Sequence, residues 1–324
     1  MRGLVVGKGG WTHAELPEPT PRAHDVVVQV HAAGLNRADL DELSGTYQGK
    51  RLDPSGPNVA GAELAGVVER VGAAVPGVSV GDRVMAMVNG AFAERVAVDH
   101  RLLLPVPAAV DLTDAAALPV VCMTAYDALA TQGHLREGDV VLLLGVTSGV
   151  GLFTAALARY LGAGLVVGTS RSAEKLARVG VHGVGVGIDT TAQDVADIVL
   201  AHTSGRGADV TVDHVGGDLT DRGIAATRIG GRVVQVGRLA GDQAVLDLDR
   251  LAYRRVSLVG TTFRTRTPEE HAEVATRVRT HVLPGIASGD LRAPVDRAFP
   301  FDRADDARAY LSGDASLGKV VLAL

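Results

Sequence analysis

The residues with the most legible chemistry are Gly145-Val146-Thr147-Ser148-Gly149-Val150-Gly151. They join a continuous apolar run, Val140–Leu144, to an apolar helical pattern that opens at once (Leu152, Phe153, Ala156, Leu157, Tyr160, Leu161). A strand buried on both faces, a tight turn and a helix N-terminus together make an anion seat. Free backbone N–H groups and the positive end of the helix dipole point at whatever lies above the turn. In a doubly wound sheet that ligand is the pyrophosphate of a dinucleotide. The pattern departs from G-x-G-x-x-G, because Val146 and Ser148 stand where its first two glycines would be, while Gly151 keeps the third. As a bare motif it also reads as a ligand-free strand–helix connection.

A second group of polar residues follows the next strand. Val166-Val167-Gly168-Thr169 runs into Ser170-Arg171-Ser172, with Lys175 one helical turn later. An Asp or Glu at this strand end would bond a ribose 2′-OH, whereas Arg accommodates a 2′-phosphate. No acid occupies it, so Arg171 and Lys175, with Ser170 or Ser172 donating, favour NADPH over NADH. The plainer alternative is a set of solvated helix-start residues, with Glu174 among them. A single cysteine, Cys122, excludes an internal disulfide and a thiolate-cluster metal site, and it reads as a buried small residue. The 10 histidines are scattered, without an H-x-x-x-H pair.

These residues must be held by a chain of 324 residues, long enough for two domains, with 47% hydrophobic and 21% charged residues. A net charge of −5 without a basic stripe argues against nucleic acid and anionic membranes. Its apolar runs are too short to span a bilayer, and MRGLVVGKGG does not read as a signal peptide, so a cytoplasmic enzyme is expected. The first third is β-rich, with strands expected at Asp25–His31, Ala65–Val71, Gly81–Val88 and Phe92–Val98, as in a barrel-like fold. From about Leu118 strands alternate with helices. Strands are expected at Val140–Leu144, Leu165–Thr169, Asp209–Asp213 and Gly231–Gly237, with helices around 150–161, 172–180, 192–203 and 218–229. A strand at Val256–Thr261 closes this parallel sheet; a helix near Glu269–Leu283 and a strand at Lys319–Leu324 follow. Boundaries near 120 and 265 suggest a nucleotide domain, 121–264, inserted between two pieces of another, 1–120 and 265–324.

Across nearly its whole length the chain resembles the zinc-independent quinone oxidoreductase branch of the medium-chain dehydrogenase/reductase family. The resemblance rests on Ala33–Leu40 (AGLNRADL), Gly45-Thr46-Tyr47, Pro57–Gly66 (PNVAGAELAG), Gly81-Asp82-Arg83-Val84 and Gly90-Ala91-Phe92-Ala93-Glu94. It continues through Ala115–Leu129, Val140–Ala163, Gly230–Gly237 and Gly318-Lys319-Val320-Val321. The run from Gly81 through Leu144 is also similar to polyketide synthase enoylreductase domains. The resemblance implies an α/β protein: a GroES-like β-rich catalytic domain plus a Rossmann doubly wound parallel-sheet domain, with the active site in the cleft between them. Relatives also replace the first fingerprint glycine by a small residue; Ser148 is a further departure. Zinc-dependent relatives place a cysteine where this chain has Asn36 and a histidine where it has Ala62, and neither residue here can replace a thiolate or an imidazole.

Without a Lewis acid, hydride delivery to a quinone or an activated C=C is easier than alcohol oxidation, because a conjugated carbonyl takes the charge. Asn36 is the leading cleft residue, its amide suited to the nicotinamide ribose or the substrate carbonyl; the alternative is a cap before Arg37–Leu43. By resemblance, Tyr47 lies near substrate as a proton donor, or else packs on its loop. The same resemblance implies that Thr124 contacts the cofactor, the alternative being a helix-start residue, and that Thr147, Ser148, Gly149 and Val150 lie under the pyrophosphate. The resemblance also sets Val215, Gly237 and Arg238 along the cofactor, Phe263 at its nicotinamide end, and Lys319 reaching back to cofactor or cleft. Arg264 and Arg266 read as solvated charges, with steering of an anionic thioester as the alternative. Three functions follow: an NADPH-dependent quinone or enone reductase, an enoyl-thioester reductase, or a non-catalytic NADPH-binding protein. Relatives pair as homodimers through an edge strand, here Val256–Thr261.

Overall fold

A computed structural model describes residues 1–7, 9–45 and 56–324. The chain divides into two compact units: Met1–Val120 with Arg264–Leu324, and Val121–Phe263.

The second unit is built on a six-stranded, all-parallel sheet. Its spatial order is Val186–Asp189, Leu165–Ser170, Val140–Leu144, Ala208–Asp213, Thr227–Gln235, Ser257–Gly260. Numbered along the chain that order is 3-2-1-4-5-6, the doubly wound arrangement that binds dinucleotides where the strand order reverses. The reversal falls between Val140–Leu144 and Ala208–Asp213. Val140 through Leu144 are all buried, as expected for a strand covered on both faces. Leu142, Leu144, Val167, Ile188, Val195 and Val199 share one core under the helices.

The first unit is β-rich. A seven-stranded sheet runs Val295–Pro300, Lys319–Ala323, Asp25–Leu35, Glu63–Val71, Arg83–Met87, Leu104–Pro105, with Arg95–Asp99 also pairing Asp25–Leu35. Register shifts near Val27/Val28 and Val30/Ala32 bend the long Asp25–Leu35 strand, letting one strand serve several partners. An N-terminal hairpin, Arg2–Gly7 with Gly10–Glu15, adds Leu4 and Trp11 to a core that includes Val28, Leu64 and Phe92. The sheet carries the short helix Arg37–Leu43 directly after its longest strand.

Among the described residues five strands escape the sequence reading: both arms of the N-terminal hairpin, the two-residue Leu104–Pro105, Val186–Asp189 and Val295–Pro300. The helix expected around 218–229 ends at Ala226, and its last residues begin the Thr227–Gln235 strand instead. The helix expected over 172–180 is a short turn, Ala173–Leu176, followed by a 3₁₀ turn at Val179–His182.

Candidate active site

The glycine turn is a helix-capping device with donors to spare. Gly145 adopts φ 85°, and a Cβ there would stand 2.6 Å from Val215 Cγ2, so both backbone and space demand glycine. Ser148 is the N-cap of the helix Gly149–Tyr160: its Oγ accepts the Gly151 N–H at 3.0 Å and donates to the Gly145 carbonyl at 3.2 Å. Its φ of −78° and ψ of 161° are ordinary extended backbone, so the missing second glycine imposes no strain. Gly149 and Val150 N–H groups have no acceptor among the described residues, which leaves two donors at a helix N-terminus. Gly151 cannot carry a side chain, since its Cβ would lie 2.6 Å from the Gly145 carbonyl oxygen. Val146, at the first glycine position, is fully buried and fills space left by Gly168 on the next strand. A phosphate-sized anion therefore fits the donors that this turn presents.

The adjacent strand ends on Ser170, whose Oγ lies 3.3 Å from Thr147 Oγ1 and accepts the Ser172 N–H at 3.2 Å. Ser172 caps the Ala173–Leu176 helix by accepting the Lys175 N–H at 3.2 Å. Arg171 is exposed and Lys175 half-buried, both on the connection after the strand. Beyond the reversal point, Asp213 is wholly buried and organises the next turn. Its Oδ1 accepts the Val215 and Gly216 N–H groups at 2.8 and 2.9 Å, and Oδ2 accepts Thr220 Oγ1 at 2.7 Å. His214 is buried beside it with Nε2 unpartnered among the described residues, and burial pushes its pKa down to about 4. Gly237 packs on the His214 backbone, where a Cβ would stand 2.2 Å from the carbonyl oxygen. Val215 is half-buried, Arg238 is exposed and donates to Gln235 Oε1 at 3.2 Å, and Phe263 is half-buried. Thr124, on the helix Pro119–Tyr126, is half-buried between the buried Met123 and Ala125.

In the first unit three polar side chains converge. Lys319 Nζ donates to the Leu35 carbonyl at 2.6 Å, Asn36 Oδ1 at 2.6 Å and Glu63 Oε1 at 2.5 Å. Asn36 Nδ2 donates to Glu63 Oε1 at 3.0 Å, and Glu63 Oε2 accepts the Val120 N–H at 2.7 Å. Asn36 holds the N-cap position of Arg37–Leu43 in a capping box with Asp39. The Asp39 carboxylate accepts the Asn36 N–H at 2.7 Å, and burial pushes its pKa up to about 7. Lys319, expected to reach the cofactor or the cleft, has its three ammonium hydrogens engaged inside this unit. Tyr47 lies outside the described residues. Sequence reasoning missed Glu63 and Asp39; an acid opening the apolar ELAGVV strand and an Asn-x-x-Asp spacing at a helix start were the available signals.

Among the described residues no group of three or more His, Cys, Asp or Glu side chains is placed to hold a metal ion. A cavity of about 1010 Å³ in the first unit, walled by Val78, Val84, Leu103 and Arg279, includes none of Asn36, Glu63 and Lys319. No helix of the described residues is long and apolar enough to cross a membrane.

Comparison with known proteins agrees with these two architectures. Residues 22–108 match the alcohol dehydrogenase GroES-like domain, and residues 149–279 match the zinc-binding dehydrogenase family. A quinone oxidoreductase-like protein 2 homolog of Nematostella vectensis is 31% identical over 92% of this chain and 81% of its own length. A phenolphthiocerol/phthiocerol polyketide synthase of Mycobacterium tuberculosis is 32% identical over 96% of this chain, but the match spans only 14% of that protein. The solved structure of a mycobacterial protein complexed with NADPH superposes with a TM-score of 0.87 at 30% identity, covering 100% of both chains. With its parallel sheet, β-rich unit and lack of zinc ligands at Asn36 and Ala62, the chain belongs to the medium-chain dehydrogenase/reductase family, in the zinc-independent branch of the quinone oxidoreductases and polyketide synthase enoylreductases.

Proposed function

We propose that this chain is an NADPH-dependent reductase that transfers hydride to a quinone or an α,β-unsaturated carbonyl. The observation that carries this reading is the 3-2-1-4-5-6 sheet whose reversal point bears the Gly149 and Val150 donors, beside a strand that ends on Ser170 without an acid and leads into Arg171 and Lys175. NADPH, when bound, supplies the hydride. Gly149 and Val150 N–H groups hold the pyrophosphate, with Thr147 beside them and Ser148 fixing the helix that presents them. Arg171, Lys175 and Ser170 meet the 2′-phosphate. Thr124, Val215, Gly237, Arg238 and Phe263 border the rest of the cofactor. Asn36 donates to the substrate carbonyl oxygen, stabilising charge that develops there, and Tyr47 supplies the proton.

Arg171→Ala with Lys175→Ala tests the cofactor assignment. Losing two charge-assisted contacts weakens NADPH by about 10²-fold while NADH changes little. Equal losses for the two cofactors overturn it. An enoyl-thioester reductase is the second reading, supported by the polyketide synthase similarity. Turnover of a crotonyl-type thioester without turnover of simple quinones selects it, and saturable NADPH binding without turnover selects a non-catalytic role. We further propose a cytoplasmic homodimer. The single, buried Cys122 suits a reducing compartment, and the Ser257–Gly260 edge strand suits pairing with a second copy.

A further inference from the structure

We propose that Lys319 and Glu63 are positioning residues that orient and polarise the Asn36 amide, leaving one of its N–H groups as the donor offered to substrate. The inference rests on the reading of Asn36 as the substrate-facing donor and says what makes it one.

The two ends of a primary amide have nearly the same shape, so its orientation is set by what surrounds it. An ammonium only donates and a carboxylate only accepts. Lys319 Nζ, 2.6 Å from Oδ1, and Glu63 Oε1, 3.0 Å from Nδ2, therefore fix which end is which. A flipped amide would set its NH₂ group against the ammonium and its oxygen against the carboxylate, two repulsive contacts replacing two attractive ones.

The pair that imposes this orientation is itself immobilised. Lys319 Nζ lies 2.5 Å from Glu63 Oε1, and the two side chains are 4% and 0% exposed. Val120 N–H holds Glu63 Oε2, and Leu35 carbonyl takes the remaining Lys319 hydrogen. Gly34 makes room for the carboxylate, because a Cβ there would lie 2.5 Å from Glu63 Oε1. Asn36, by contrast, is only half-buried, so it is the member of the trio that a ligand can reach.

Of the two amide hydrogens, one is committed to Glu63. The other has only the Gly34 carbonyl at 3.4 Å, near the limit of a hydrogen bond. The ammonium on Oδ1 draws electron density from the amide nitrogen and strengthens that remaining donor. The network thus converts a flexible amide into a single directed N–H group backed by a fixed positive charge.

The test is a mutant cycle read with a quinone and NADPH. Asn36→Ala removes the donor; Lys319→Met with Glu63→Gln removes the orienting charges together, so that neither is left buried and unpaired. Removing the donor lowers kcat by about 10²-fold, with the NADPH dissociation constant, read by fluorescence, held within about twofold. The Lys319→Met/Glu63→Gln protein loses a comparable factor in kcat. The triple variant is no slower than Asn36→Ala within about threefold, because coupled groups do not add. Losses that multiply in the triple variant overturn the inference while leaving Asn36 at the substrate. An Asn36→Ala protein with unchanged kcat overturns the substrate reading itself, and the inference with it. Circular dichroism and melting accompany each variant. If the neutral pair does not fold, Lys319→Arg keeps the charge but displaces its donors: a fall in kcat with unchanged NADPH affinity is expected, and unchanged kcat overturns the inference.

Discussion

At Val146 the room for a branched side chain comes from the neighbouring strand. A Cβ on Gly168 would lie 2.7 Å from Val146 Cγ1, so the two positions share one volume. Gly168→Ala therefore overpacks the sheet and costs about 1–3 kcal/mol. Adding Val146→Gly, which also removes the Val146 Cβ that would stand 2.8 Å away, relieves the contact and restores part of the loss, as urea unfolding will show; a Gly168→Ala protein as stable as the parent contradicts the shared volume. His214 and Asp39 make a second pair of arguments at this scale. The folded imidazole titrates near 4, below its ordinary 6.5, so the unfolded chain binds the extra proton between those values. Stability from His214 is thus lost as pH falls from about 6.5 toward 4. Asp39 acts in the opposite sense. Its folded carboxyl titrates near 7, above the ordinary 3.8, so its contribution is lost as pH rises through that interval. The two slopes oppose each other between about pH 4 and 6.5, each worth at most about 1.4 kcal/mol per pH unit. His214→Leu exposes the falling slope and Asp39→Asn the rising one, measurable as melting temperature against pH. Parallel profiles for parent and variants would refute both assignments.

Elements decide how much of this was legible beforehand. The turn and its flanking strand and helix are local, so Val140–Leu144 and the helix from Gly149 could be read from periodicity, and the donors at Gly149 and Val150 follow from helix geometry. Ser148→Ala tests that geometry: loss of an N-cap hydroxyl costs about 1 kcal/mol in unfolding experiments. It also releases the Gly151 N–H, so NADPH affinity is expected to fall less than stability does. Val295–Pro300 was illegible because it alternates no apolar residues; it is a strand through its parallel pairing with Lys319–Ala323. Val186–Asp189 is only four residues long and contains a glycine. The Asn36–Glu63–Lys319 cluster was illegible for a different reason. Its partners are 27 and 256 positions apart, and only the antiparallel registers of Asp25–Leu35 with Glu63–Val71 and Lys319–Ala323 bring them together. Residue type pointed to Asn36 and Lys319 separately; topology made them one device.

For the whole molecule, the six-stranded sheet leaves Ser257–Gly260 with one neighbour among the described residues, Thr227–Gln235, and an outer edge that none of them pairs. Natural edges are blunted by lysine, proline or bulges, and Ser257-Leu258-Val259-Gly260 has none of these. Leu258 is 39% exposed, and the helix before the strand exposes Leu248 and Tyr253 at 70% and 77%. An unblunted strand edge with apolar neighbours is a surface on which a second copy can continue the sheet, each strand supplying the other's missing hydrogen-bond partners. The homodimer proposed above then has a specific seam. Leu258→Lys places a charge on that seam opposite its own copy, where like charges repel, while its exposure keeps the cost to the folded chain within about 0.5 kcal/mol. Light scattering should give twice the single-chain mass for the parent and the single-chain mass for Leu258→Lys at micromolar concentration. A parent chain that scatters as a monomer, or a variant that stays dimeric, removes this strand from the interface.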